Sequence, residues 1–124
     1  NRDVNRYRWS QKDILNQLKN SNSKQSIFYK SLTNLLSIRT NKKAFHPNAL
    51  RTTLNKGTKI FCFQRTSIDK KQTIICVTNL SSKTQYPLFN KKFINWKNLI
   101  NKKINILPNK RLKLEPFQTI WLSN

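Results

Sequence analysis

The sequence predicts an α+β chain: two short helices followed by an antiparallel, β-sandwich-like module. Three observations carry that prediction. Apolar residues follow a helical spacing in the first third of the chain and a strand spacing after Leu50. Pro47 stands between the two regimes, where a helix cannot continue. The two strongest apolar runs, Ile60-Phe61-Cys62-Phe63 and Ile74-Ile75-Cys76-Val77, flank a polar turn, as the arms of a hairpin do.

The residues before Ser10 are polar and aromatic without helical period and read as a loop. Ser10 precedes Asp13 by three residues. This is a capping-box spacing that offers a hydroxyl to a free N–H and sets an acid at the positive helix end. A helix through Ile14, Leu15 and Leu18 follows, broken by Asn20-Ser21-Asn22-Ser23. A second helix is expected over about Gln25 to Asn41. Phe28, Leu32, Leu35 and Leu36 form its i, i+4, i+7, i+8 stripe, and Lys42 and Lys43 lie near its negative end. Two such helices cannot bury their own stripes; they pack either on the β module or on a body outside the chain.

Strands are expected at about Lys59–Arg65, Gln72–Asn79, Gln85–Phe89, Ile104–Leu107 and Phe117–Leu122, separated by turn residues. A hairpin centred near Asp69 sets Cys62 opposite Cys76. That register puts Ile60, Cys62, Ile74 and Cys76 on one face, and Phe61, Phe63, Ile75 and Val77 on the other. Both faces are then apolar and both need cover. In this register the cysteines could be bridged in an oxidising setting; otherwise they are two small buried residues in a reduced compartment. The break near Pro47-Asn48 divides the chain into 1–48 and 49–124.

The 124 residues carry 25 Lys and Arg against 4 Asp and Glu, a net charge of +21, and 36% hydrophobic residues. Such charge suits a polyanion partner. Two features argue against nucleic acid. The charges are scattered along the chain, and the excess is in Lys, alongside abundant Asn and Ile, as an AT-rich coding sequence would produce on any solvated surface. Arg, the better fork for bases and phosphates, is not enriched. No apolar run reaches the ~18 residues of a membrane span, and the start is charged rather than signal-like. No nucleic acid, no membrane and a cytoplasmic location are therefore expected. The chain begins at Asn1 and has no Met, which suggests the end of a longer product.

The acids are Asp3, Asp13, Asp69 and Glu115. Glycoside cleavage uses two carboxylates a few ångströms apart, yet Asp13 fits a helix start, Asp69 a turn and Glu115 a solvated position before Pro116. His46 is the only histidine, and with two strand cysteines it makes no recognised metal spacing. One glycine, Gly57, rules out a Gly-rich phosphate loop. No catalytic residue, metal or cofactor is expected within the chain itself.

Three segments nevertheless share one resemblance. Arg2-Asp3-Val4-Asn5-Arg6-Tyr7-Arg8-Trp9-Ser10 resembles the loop after the eighth barrel strand in the sucrose phosphorylase group of glycoside hydrolase family 13. Leu36-Ser37-Ile38-Arg39 through Lys43-Ala44-Phe45-His46-Pro47-Asn48-Ala49 is similar to the last barrel helix and its exit. Phe63-Gln64-Arg65-Thr66-Ser67, Thr78-Asn79-Leu80-Ser81 and Leu114-Glu115-Pro116-Phe117-Gln118-Thr119-Ile120-Trp121-Leu122 look like the closing β-domain.

The resemblance implies that residues 1–48 end a (β/α)8 catalytic barrel and 49–124 form its C-terminal β-domain. It implies a retaining α-glucosyl-transferring parent enzyme of carbohydrate metabolism, with phosphate or water as acceptor and its catalytic acids upstream. Arg2 would hold hydroxyls of the bound glucosyl unit; Asn5 would contact the substrate or, with Arg6, fix the loop. The partners implied are a glucoside and inorganic phosphate. Two other readings stand beside it: a carbohydrate-binding module that stacks sugars on Trp9, Trp96 or Trp121, with Trp96 the best surface candidate, and a basic nucleic-acid binder.

Overall fold

A computed structural model describes residues 8–90, 93, 95–101 and 111–124. Two compact units make up the chain, Asn1–Ser37 and Ile38–Asn124.

In the first unit, α1 spans Gln11–Lys19 and begins on the Ser10 cap. Ser10 Oγ accepts from the Asp13 N–H at 3.1 Å and donates to Asp13 Oδ2 at 2.6 Å, so the capping pair is closed on itself. The Asn20–Ser23 break is a short connection rather than a loose loop. Ser23 Oγ donates to the Gln17 carbonyl at 2.5 Å and accepts from the Ser26 N–H at 3.0 Å, capping the start of α2. Helix α2 runs Lys24–Thr40, one residue earlier at each end than expected. Ser26 is buried and donates to the Leu18 carbonyl at 3.1 Å, which lets the two helix backbones approach closely. Of the four predicted stripe residues Leu35 is half-buried and three are exposed: Phe28 by 67%, Leu32 by 42% and Leu36 by 47%.

The second unit is an antiparallel sheet in the order β1-β2-β3-β5-β4. Its strands are β1 (Leu50–Thr53), β2 (Ile60–Thr66), β3 (Thr73–Asn79), β4 (Lys97–Asn98) and β5 (Thr119–Ser123). The central hairpin is where expected, but its register is one residue off the sequence reading. Cys62 pairs with Val77, and Phe63 with Cys76. The connecting loop has six residues, Ser67 to Gln72, and an even-numbered loop cannot centre on Asp69. Its conformation is set by Ser67 and Asp69. Ser67 Oγ donates to Asp69 Oδ1 at 2.6 Å and accepts from the Gln72 N–H at 2.9 Å; Asp69 Oδ1 also accepts from the Lys71 N–H at 3.2 Å. Lys70 takes a left-handed φ of 56° between them.

A slip of one residue moves every side chain of one arm to the other face. Ile60, Cys62, Ile75 and Val77 therefore share the first face, with Ile120 and Leu122 of β5, under Phe89, Phe93, Leu112 and Leu114. Ile74 and Cys76 lie on the second face with Ala44, flanked by Phe45, Phe63, Leu99 and Trp121. The cysteines stand on opposite faces, are free, and cannot be bridged.

The expectation of cover is met on the first face and only in part on the second, where Phe61 stays 41% exposed, and among the described residues the second sheet of a sandwich is not formed. Gln85–Phe89, expected as a strand, is held by two isolated bridges, Gln85 to Leu114 and Leu88 to Arg111. Pro87 lies between them without an N–H to extend the ladder; its carbonyl accepts from the Leu112 N–H at 3.0 Å. The strand expected over Ile104–Leu107 lies outside the described residues. Strands β1 and β4 were not expected from sequence. β1 is an edge strand, Leu-Arg-Thr-Thr, exposed at every position and without apolar alternation; β4 has two residues.

Candidate functional site

The chemistry-bearing residues are few, and each described acid is engaged locally. Asp13 is held in the α1 cap. Asp69 accepts from Lys43 Nζ at 2.9 Å in addition to its loop contacts; these hydrogen bonds, that from Ser67 first, hold its carboxyl well below the usual range. Glu115 accepts from Lys113 Nζ at 2.7 Å and from Thr84 Oγ1 at 3.2 Å, and the Lys113 hydrogen bond lowers its pKa. Each described carboxylate is thus engaged by a neighbouring donor: Asp13 by Ser10, Asp69 by Ser67 and Lys43, Glu115 by Lys113. Asp3 and the candidate substrate residues Arg2 and Asn5 lie outside the described residues.

Among the described residues no group of three or more His, Cys, Asp or Glu is placed to hold a metal. His46 Nδ1 accepts from the Asn48 N–H at 3.2 Å in the turn that leaves α2. Burial pushes the Cys62 thiol up to about 11 and the Cys76 thiol up to about 12, so neither is a thiolate nucleophile at neutral pH.

Trp96 and Trp121 pack on opposite faces of the sheet and do not form one sugar platform. Trp96 is half-buried, packs against the first core and stands edge-on to Phe93 at 4.7 Å. Trp121 is half-buried on the second face, 4.8 Å from the Phe45 ring. Trp9 is the most exposed of the three, at 46%.

A hollow on the second face was not legible in the sequence. Arg39, Phe45, Phe63, Arg65, Cys76 and Trp121 line about 230 Å³ of open space. Arg65 is fixed: its Nε donates to the Ala44 carbonyl at 2.8 Å and its Nη2 to the His46 carbonyl at 2.6 Å. Arg39 reaches the hollow from the last turn of α2. The arrangement combines cationic nitrogen with aromatic walls, which suits an anion carried on an apolar body. Sequence spacing gave no sign of it, because its six residues come from α2, the turn that follows it and three different strands.

No protein-family model matches the chain. A curated relative, the glucosylglycerate phosphorylase of Spirochaeta thermophila, is 27% identical over 89 residues. That match covers 72% of this chain but 15% of the relative. Among solved structures, a family GH13_31 enzyme matches with a TM-score of 0.60 at 21% identity, covering 90% of this chain and 18% of its own. Trehalose-6-phosphate hydrolase of Bacillus licheniformis matches at 0.57 and 18% identity, over 88% of this chain and 20% of its own. An inactive double mutant of MutB, in complex with isomaltulose, matches at 0.59 and 17% identity, over 89% of this chain and 19% of its own. The chain thus spans under a fifth of the curated relative. It resembles, in sequence and in fold, the C-terminal part of glycoside hydrolase family 13 enzymes.

Proposed function

We propose, from this resemblance to glycoside hydrolase family 13, that the chain is the C-terminal part of an α-glucosyl-transferring enzyme of the sucrose phosphorylase kind. One observation carries the reading: the segment similar in sequence to a glucosyl phosphorylase covers most of the same chain whose fold is shared with family 13 enzymes. The commitments of Asp13, Asp69 and Glu115 to caps, turns and ion pairs support a division of labour in which the catalytic acids are supplied upstream.

In this reading residues 1–48 close a (β/α)8 barrel and 49–124 form the C-terminal β-domain. The uncovered stripe of Phe28, Leu32 and Leu36 supports a helix that packs on a larger body. Arg2 binds hydroxyls of the glucosyl unit from the loop after the eighth strand, with Asn5 beside it. The reaction retains configuration through a covalent glucosyl-enzyme, and phosphate takes the glucosyl group to give glucose 1-phosphate. A cytoplasmic location completes the proposal.

The experiment is to express the longer reading frame that contains this chain and incubate it with α-glucosides, with and without phosphate. Phosphate-dependent release of glucose 1-phosphate is the expected result. Release of glucose alone would make the parent a hydrolase. No cleavage of any glucoside would overturn the reading.

A further inference from the structure

Among the described residues that line it, the hollow on the second face has cations and aromatic walls but no acid. The ion pairs among the described residues are Lys43–Asp69 and Lys113–Glu115, and Asp13 is engaged by Ser10. Neither Arg39 nor Arg65 draws a carboxylate from them. With 25 basic residues against 4 acids, the chain has little acid left to offer. Arg39 also continues the apolar stripe of α2, four residues after Leu35 and three after Leu36.

We propose that the hollow lined by Arg39, Phe45, Phe63, Arg65, Cys76 and Trp121 seats an Asp or Glu side chain carried by the part of the parent enzyme outside this chain. The inference rests on the functional reading above, which supplies that larger body. The aromatic walls shield one side of the contact from solvent, while Arg39 stands exposed at its rim. Arg65 is held in place by the Ala44 and His46 carbonyls, so little side-chain entropy is lost when the acid arrives. Arg39, at the helix end, closes over it. The result is an ionic latch between the end of α2, the sheet and the rest of the enzyme.

The test uses the longer gene product carrying Arg39→Lys, which sets a primary amine at the hollow. A water-soluble carbodiimide joins an amine to a carboxylate in contact with it; an amide forms, and the carbodiimide takes up the water as a urea. The expected product, read by peptide mass spectrometry, links position 39 to an Asp or Glu upstream of Asn1. In parallel, Arg39→Glu should lower the thermal midpoint of the full enzyme by several degrees more than Arg39→Gln does. Cross-links only to Asp13, Asp69 or Glu115, or equal midpoints for the two variants, would overturn the latch. So would phosphate that blocks the cross-link at millimolar concentration and shifts Trp121 fluorescence, which would assign the hollow to a small anion. An active glucosyl-transferring parent without the cross-link overturns this proposal alone. A cross-linked parent that cleaves no glucoside overturns the functional reading alone.

Discussion

Arg65 holds the backbone of Ala44 against the sheet, donating from Nε to its carbonyl at 2.8 Å, while Gln72 Oε1 accepts from the Ala44 N–H at 3.1 Å. Both polar groups of a residue with no exposed surface are thus satisfied by side chains of the hairpin. The turn after α2 is fastened to β2 and its loop by this clamp, and Ala44 completes the second core.

Replacing Arg65 by Met keeps the apolar stem but leaves the Ala44 carbonyl without its side-chain donor, while the exposed His46 carbonyl keeps the Ala49 N–H. The expected loss is about 1–2 kcal/mol, the cost of leaving one buried residue's carbonyl unpaired. Arg65→Lys restores at most one of the two bonds and should fall between. Urea midpoints of the three proteins decide it; coincident midpoints would mean that the clamp contributes nothing to stability.

Asn79 is buried at the end of β3 and organises the crossing of two segments. Its Nδ2 donates to the carbonyls of Lys83 at 2.8 Å and Glu115 at 3.0 Å, and its Oδ1 accepts from the Ser81 N–H at 2.9 Å and Ser81 Oγ at 2.8 Å. Asn79→Ala should cost roughly 3 kcal/mol, the upper range for an orphaned buried network. Asn79→Asp should be worse, since it points a carboxylate at two carbonyls. Thermal unfolding of the two variants checks both the size and the order of the effect.

The thiols should be silent in the folded protein. With Cys62 raised to about 11 and Cys76 to about 12 by burial, a disulfide reagent at pH 8 should label neither until denaturant is added. Burial favours the neutral thiol, so this contribution to stability is present below the unfolded value near 9.0 and is lost as pH rises through 11 to 12. Rapid labelling of both cysteines under native conditions would contradict the packing of both cores.

Acid acts on the hairpin loop in the opposite sense. The Ser67, Lys43 and Lys71 contacts lower the Asp69 pKa from its ordinary 3.8. The stabilisation is therefore complete above pH 3.8 and is lost as pH falls below it towards the folded value. Asp69→Asn should weaken the loop at neutral pH and flatten its acid dependence below that point. Amide exchange at Lys71 and Gln72, followed between pH 2 and 6, is the measurement; identical profiles for the two proteins would remove Asp69 from that role.

Local chemistry was legible wherever one short stretch of chain contains its own partners. The Ser10–Asp13 pair specifies the start of α1. The β-branched and aromatic runs specify β2 and β3 as two-sided strands. The motif from Leu114 to Leu122 locates β5 and points to the same family that sequence and fold comparison bring out.

What the sequence determined by itself was the placement of α1, α2, β2, β3 and β5 and the apolar character of both faces of the hairpin. Only the tertiary structure decided which face each hairpin residue takes. A six-residue loop and a seven-residue loop differ by one step, and alternation turns that step into a change of face for Cys62 relative to Cys76. It alone decided that Pro87 interrupts the second layer, and that Leu50–Thr53 becomes an edge strand through backbone pairing with β2 despite an exposed, unpatterned sequence. The hollow beside Arg65 belongs to the same class. Arg39, Phe63 and Trp121 are far apart along the chain and meet only because hydrogen bonding between strands brings distant segments to one face.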